Sequence, residues 1–149
     1  MRIMFDMDGT IANLYGVDGW LEMLINHDAT PYKLADTLIN MNVLARTLNK
    51  LQAKGFEIGI ISWLAKNSNE EYDNEVTKAK KGWLKKHLAS VHWDILEIVP
   101  YGTDKNITAE NENDILFDDE INNRKNWIGK AYDVNNIIEV LKGLIAGVA

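Results

Sequence analysis

The stretch "RIMFDMDGTIAN", residues 2 to 13, decides how this chain is interpreted. Ile3 to Phe5 form a short apolar run that predicts a buried strand. Asp6 and Asp8 follow directly, one residue apart, and a Gly-Thr pair comes next. Two carboxylates this close repel each other, so the arrangement is favourable only with a positive partner. The rest of the sequence must therefore supply something that neutralises them.

Length and composition indicate a single globular domain over residues 1–149. The chain is 46% apolar and 26% charged, which is ordinary for a globular protein. It has no run of about 18 apolar residues and no basic, then apolar, leader pattern, so we expect neither a membrane span nor a signal peptide. It contains no cysteine, which fits a reducing compartment, and we expect a cytoplasmic location.

The acidic balance of the chain narrows the choice of partner. The formal net charge is -6, which disfavours binding to duplex nucleic acid. A small phosphorylated ligand, held by a local positive site, remains compatible with that charge. We therefore expect a small-molecule partner and no membrane partner.

Strand and helix patterns alternate along the chain. Continuous apolar runs predict strands, and apolar residues at helical spacing predict helices between them. The predicted strands are 3–5, 56–62, 95–99, 114–117 and a segment within 127–132. The predicted helices are 18–26, 30–41, 43–51, 76–91 and 135–144. This alternation predicts an α/β fold, a three-layer sandwich around a mainly parallel sheet.

Polar residues follow the predicted strands at the edge where their carboxyl ends meet. Ligands of open parallel sheets gather at that edge. The residues in question are Asp6, Asp8 and Thr10 after the first strand, Ser62 after the second, Lys105 after the third, and Asp118 and Asp119 after the fourth. The group suits phosphoryl transfer through an aspartyl-phosphate, because a carboxylate can attack phosphorus while cations balance the phosphoryl charge. Mg²⁺ prefers such oxygen ligands and would offset the carboxylate repulsion.

These motifs resemble those of the haloacid dehalogenase superfamily. "DMDGT", residues 6–10, resembles its first motif, and Ser62, Lys105 and the Asp118-Asp119 pair stand where its other motifs belong. The resemblance implies a Rossmann-like fold and a Mg²⁺-dependent phosphatase. "DKN" at 104–106, "DILFDD" at 114–119 and "AKKGWLKKHL" at 79–88 are similar to the 5'(3')-deoxyribonucleotidase branch, which implies a nucleoside monophosphate as substrate.

The resemblance implies a role for each carboxylate. Asp6 would be the nucleophile. Asp8 would protonate the leaving oxygen and then activate water. The Asp6 side chain, the backbone carbonyl of Asp8 and Asp118 would hold Mg²⁺, with Asp119 beside them as an alternative metal contact.

The resemblance also implies which residues bind phosphate and what covers the site. Ser62, Lys105 and Thr10 would bind the phosphate group. The segment around 12–41 is long enough for a small helical cap, which would bring Tyr15 and Trp20 near the site.

Other interpretations stay open at this point. A phosphatase acting on polynucleotide ends and a phospho-receiver-like signalling module use similar residues, and a silent relative could bind without catalysis. The "KAKK" run, Lys78 to Lys81, together with Lys85 and Lys86, is interpreted as the solvated face of a long helix. Trp63 could stack on a base or pack in the core.

Overall fold

A computed structural model of the chain describes residues 1–147, so the last two residues of the predicted 1–149 domain lie outside the described residues. The strands are β1 (Arg2–Phe5), β2 (Ala12–Asn13), β3 (Asp36–Thr37), β4 (Glu57–Trp63), β5 (Ile95–Val99), β6 (Ile115–Phe117) and β7 (Lys130–Tyr132). The helices are α1 (Trp20–Ile25), α2 (Thr30–Leu34), α3 (Met41–Ala53), α4 (Glu70–His87), α5 (Ile121–Asn126) and α6 (Ile137–Gly147). None of the described helices is both long enough and apolar enough to cross a membrane.

The central sheet has five parallel strands in the order β5-β4-β1-β6-β7. In β1, Phe5 pairs with Ile60 on one side and with Phe117 on the other. The chain builds one half of the sheet first and then crosses β1 to build the other half. The carboxyl end of β1 is therefore the point where strand order reverses, which is where such sheets bind ligands. The predicted α/β, Rossmann-like fold is confirmed.

Alternate side chains of β1 enter two different cores. Ile3 and Phe5 are buried in the larger core with side chains of α3 and α6, such as Leu48 and Leu141. Met4 points to the opposite face and packs in a smaller cluster that includes Trp127. Burying a strand on both faces fixes its register, because a slip of one residue would exchange the two sets of side chains. The direction in which Asp6 leaves the sheet is fixed with it.

Helix α4 begins at Glu70, earlier than the predicted 76, because Asn69 caps it by accepting a hydrogen bond from the Tyr72 N–H at 2.8 Å. Its buried face includes Val76, Ala79 and Trp83, as the apolar spacing predicts. The interpretation of the lysine run is wrong at one position. Lys80 is only 1% exposed, whereas its neighbouring lysines are solvated.

The segment between β1 and α3 departs from prediction. The predicted helix over 30–41 ends at Leu34, and Asp36–Thr37 instead pair antiparallel with Ala12–Asn13. The backbone groups of residues 36 and 37 are thus used in a two-stranded ribbon, which a helix would not allow. We call the chain between these strands, with the strands themselves, the 12–37 segment.

Helix α5 was not predicted. Its sequence, INNRKN, has no apolar stripe, and none of its residues is buried. Glu120 caps it, and its contacts with β7 hold it at the edge of the sheet. Apolar periodicity carries no signal for such a helix.

Candidate functional site

Two neighbouring strand ends bring Asp6 and Asp118 together. Asp6 follows β1, and its N–H donates to the Phe117 carbonyl at 2.9 Å. Asp118 follows β6, and its N–H donates to the Tyr132 carbonyl at 3.1 Å. Backbone pairing therefore continues past both strands, and it places the two carboxylates side by side.

The loop after β1 folds tightly on itself. The N–H groups of Thr10 and Ile11 both donate to the Met7 carbonyl, at 3.1 and 3.0 Å. Gly9 lies in the left-handed region at φ +81°, and a Cβ there would collide with the Asp119 side chain. Glycine is thus required both by its backbone conformation and by the space that Asp119 takes.

This loop delivers the buried hydroxyl of Thr10. Its Oγ1 donates to Asp6 Oδ2 at 3.2 Å, and it accepts from the Asp119 N–H at 3.1 Å. Thr10 is fully buried and does not line the cavity described below. Its observed contacts orient carboxylates, and the role in phosphate binding stays a prediction.

Lys105 is the cation at the centre of the cluster. It lies on a 3₁₀ turn over Lys105–Thr108 and is 4% exposed. Its Nζ donates to Asp6 Oδ1 at 3.0 Å and to Asp118 Oδ2 at 2.6 Å. Burial lowers the pKa of Lys105, but the two carboxylates outweigh burial and raise it above its usual value. The lysine is therefore held as a cation in contact with the predicted nucleophile.

Three carboxylates lie close together at the site, and Lys105 contacts two of them. Asp6, Asp118 and Asp119 each offer an oxygen, and these oxygens lie within 4.8 Å of one another. Burial and the charge of Asp6 raise the pKa of Asp118 to about 6 and that of Asp119 to about 8. The cluster is short of positive charge. A compact set of hard oxygen donors that lacks positive charge fits Mg²⁺.

The side chain of Asp8 points to a different cation. Its Oδ2 accepts from Lys80 Nζ at 2.9 Å, and the side chain is 16% exposed. Burial raises the pKa of Asp8, and the opposing effect of Lys80 is smaller. A raised pKa favours the protonated form that a general acid needs.

Ser62 is held by the same lysine. Lys80 Nζ donates to Ser62 Oγ at 2.7 Å, and Ser62 is fully buried. Like Thr10, Ser62 does not line the cavity. The structure brings it to the site edge through Lys80, and its predicted role in phosphate binding is untested.

Sequence reasoning missed two side chains that donate to the carboxylates of the site, Lys80 and Asn123. Lys80 could have been found, because it follows Val76 by four residues and precedes Trp83 by three, so it falls on the buried face of α4. Asn123 donates to Asp118 Oδ2 at 3.1 Å from α5. No pattern signalled Asn123, because that helix has no apolar stripe.

A cavity of about 480 Å³ opens in front of the carboxylates. Asp6, Asp8, Lys105, Asp118 and Asp119 line one part of it. Most of the other lining side chains are aliphatic or aromatic, and many of these come from the 12–37 segment; a few, such as Lys66, Asn67 and Glu120, are polar or charged. The aromatic ones are Tyr15, Trp20, Tyr32, Trp63 and Tyr101.

Four of those five aromatic side chains form two pairs. Tyr15 and Trp20 meet edge to face at 4.9 Å between ring centroids, and Trp63 and Tyr101 lie at 4.9 Å. Trp63 also donates to the Thr103 carbonyl at 2.8 Å, so its ring is fixed while it lines the cavity. The cavity therefore combines an ionic end with an apolar, aromatic body.

One solved structure with a similar fold is the D,D-heptose 1,7-bisphosphate phosphatase from Burkholderia thailandensis. It is 12% identical to this chain, with a TM-score of 0.49, and the match covers 83% of this chain and 69% of that one. No family model and no curated protein sequence matches the chain. A similarity of this size does not establish a family.

Proposed function

We propose that this protein is a Mg²⁺-dependent phosphomonoesterase that works through an aspartyl-phosphate on Asp6. The observation that carries the proposal is the convergence of Asp6, Asp8, Lys105 and Asp118 at the ionic end of one cavity. Such an edge of a parallel sheet is the usual place for ligand chemistry. The "DMDGT" motif, which resembles that of haloacid dehalogenase phosphatases, supports the same reaction.

The reaction divides into two displacements. In the first, a carboxylate oxygen of Asp6 attacks phosphorus, the bond between phosphorus and the ester oxygen breaks, and Asp8 gives its proton to the leaving oxygen. In the second, Asp8 takes a proton from water, the water oxygen attacks phosphorus, and the bond to Asp6 breaks. The products are an alcohol and inorganic phosphate, and Asp8 is protonated again.

Lys105 and the carboxylate cluster balance the charge. Lys105 donates to Asp6 and would neutralise part of the phosphoryl charge. Asp6 and Asp118 would hold Mg²⁺ with the Asp8 carbonyl, and Asp119 is close enough to Asp6 and Asp118 to share in binding it. When bound, Mg²⁺ supplies positive charge to the phosphoryl oxygens and to the carboxylates.

The substrate that we propose is a nucleoside monophosphate. The 12–37 segment would act as a small helical cap and place Tyr15 and Trp20 over the cavity. Stacking of a base on an aromatic ring contributes about 1–3 kcal/mol, which a sugar phosphate would lose. Among the described residues that line the cavity, the lysines are Lys66 and Lys105. So few cations favour a small ligand over a polynucleotide end, which brings further phosphates.

The test compares kcat/KM for four substrates at one salt concentration. They are a deoxynucleoside 5'-monophosphate, a 3'-monophosphate, a hexose phosphate and a 5'-phosphorylated oligonucleotide. We expect the nucleoside monophosphates to be preferred. Trp20→Leu should raise KM for them and leave the hexose phosphate unaffected, and Asp6→Asn serves as the inactive control.

Each other outcome has a definite meaning. A preference for the oligonucleotide would favour a phosphatase of polynucleotide ends. A preference for the hexose phosphate would reject the nucleotide proposal and leave the phosphatase proposal standing. Turnover of none of the four substrates in the presence of Mg²⁺, by a folded protein, would count against the phosphatase itself.

A further inference from the structure

Lys80 is a buried cation whose hydrogen-bonding capacity is fully used. An ammonium group has three donors. Lys80 Nζ donates to Asp8 Oδ2 at 2.9 Å, to Ser62 Oγ at 2.7 Å and to the Trp63 carbonyl at 2.7 Å. It also lies 5.1 Å from the centre of the Tyr32 ring. The group is therefore held from several directions, with no donor left for solvent.

Two of the three acceptors belong to β4 and are fixed by the sheet. Ser62 and Trp63 are the last residues of that strand, and Ser62 is fully buried. The stem of Lys80 is fixed as well, because it lies on the buried face of α4 between Val76 and Trp83. An ammonium anchored at its stem and at two neutral acceptors has its third proton aimed in one direction. That direction is Oδ2 of Asp8.

This environment distinguishes Lys80 from the lysines around it. Lys78 and Lys81 on the same helix are exposed, whereas Lys80 is 1% exposed. Burying an unpaired ammonium is costly, so Lys80 depends on its partners. The only carboxylate paired with it among the described residues is that of Asp8.

We propose that Lys80 is a positioning residue for Asp8: it holds Oδ2 in place and leaves Oδ1 for proton transfer at the leaving oxygen. The inference rests on the proposed phosphatase activity. Lys80 acts through Asp8 and does not itself touch the substrate, since it does not line the cavity. Replacing Lys80 should therefore slow hydrolysis most for substrates whose leaving group needs a proton from Asp8.

The dependence on leaving group separates this role from a general structural one. An alkoxide leaving group, as in a nucleoside 5'-monophosphate, needs a proton from Asp8. The 4-nitrophenolate ion is a weak base and leaves without one. The value of kcat/KM reports the first displacement, in which this difference arises. Damage to phosphate binding through Ser62 would lower kcat/KM for both substrates equally.

The experiment measures kcat/KM of Lys80→Met for a deoxynucleoside 5'-monophosphate and for 4-nitrophenyl phosphate. Loss of a positioned general acid lowers the rate by about 10²–10⁴-fold. Loss of its positioning should therefore lower kcat/KM for the nucleotide by about 10–100-fold more than kcat/KM for the aryl substrate. In the Asp8→Asn background, Lys80→Met should add no further difference between the substrates. Lys81→Met is the matched control and should match the wild type on both.

The outcomes are distinct. An equal loss on both substrates, or the same selective loss in the Asp8→Asn background, would overturn the positioning role. If circular dichroism shows that Lys80→Met does not fold, Lys80→Gln replaces it, because glutamine retains a donor for the β4 acceptors. Lys80→Gln should then lose more kcat/KM on the nucleotide than on 4-nitrophenyl phosphate, and an equal loss on both substrates would overturn the positioning role. A wild type that hydrolyses neither substrate would instead reject the proposed function.

Discussion

Replacing Lys105 by methionine should cost the metal-free protein about 3–5 kcal/mol of unfolding free energy, the usual penalty for breaking a buried ion pair from one side. Lys105 Nζ lies 3.0 Å from Asp6 and 2.6 Å from Asp118. Each pair attracts by about 5–6 kcal/mol at an effective dielectric constant of about 20, and desolvation offsets much of that sum. Part of this loss of unfolding free energy is recovered because Asp118 can take up a proton once its cation is gone.

The assay is urea unfolding followed by tryptophan fluorescence, in EDTA and then in excess Mg²⁺. The cation would replace the lost charge, so Mg²⁺ should stabilise Lys105→Met by about 2.7 kcal/mol at a hundredfold excess over its dissociation constant. Lys125→Met, at an exposed position, is the control and should stay within about 0.5 kcal/mol of the wild type. A Lys105→Met protein as stable as this control would refute the account of the carboxylate cluster.

Four further predictions concern other properties of the buried and half-buried carboxylates. Asp6→Asn should abolish phosphate release while circular dichroism shows the native fold, because an amide is not a competent nucleophile; substantial turnover would reject Asp6 as nucleophile. Chelation should stop activity, and Asp118→Asn should raise the Mg²⁺ concentration needed for half-maximal rate; full activity in EDTA would exclude the metal. In the folded state the pKa values of about 6 for Asp118 and about 8 for Asp119 lie above the ordinary 3.8, so the folded protein binds more protons than the unfolded chain. Without metal, the unfolding free energy should therefore fall as pH rises from about 4 to 8, and an increase over that range would contradict these pKa shifts. Asp114→Ala should lower the unfolding free energy by about 2–4 kcal/mol in urea titrations, because buried Asp114 accepts from the N–H groups of Arg2 at 2.8 Å and Glu110 at 2.7 Å; an unchanged midpoint would contradict this.

The fold was predictable where long apolar patterns meet clear end signals. Helix α3 is an example: Leu44, Leu48 and Leu51 give its buried face, and Gly55, at φ +97°, follows its end. The 30–41 helix was wrong because residues 36 and 37 are decided by a partner strand, which local propensity does not record. Short elements with no apolar stripe, such as α5, give no signal at all.

The site was predictable to the extent that it lies at strand ends. Asp6, Asp8, Lys105 and Asp118 all line the cavity that the strands predict. The pairing of Asp8 with Lys80 was not predictable from composition, since lysine in a charged run is ordinarily solvated. Only the position of that lysine on the helix face distinguishes it from its neighbours.

The ribbon of β2 and β3 brings the two ends of the 12–37 segment together, while α2 packs against α4 and leaves α1 on the outer side. Ala12 pairs with Thr37, and the Leu38 N–H donates to the Ile11 carbonyl at 3.0 Å, so the segment leaves and rejoins the core at adjacent points. Chain inserted or removed between two ends that already lie together costs little closure entropy. The exposed side chains of α1 that line the cavity, such as Leu21 and Ile25, can therefore change without moving Asp6 or Asp8. The proposed recognition surface on α1 can evolve, or be exchanged in the laboratory, independently of the carboxylates.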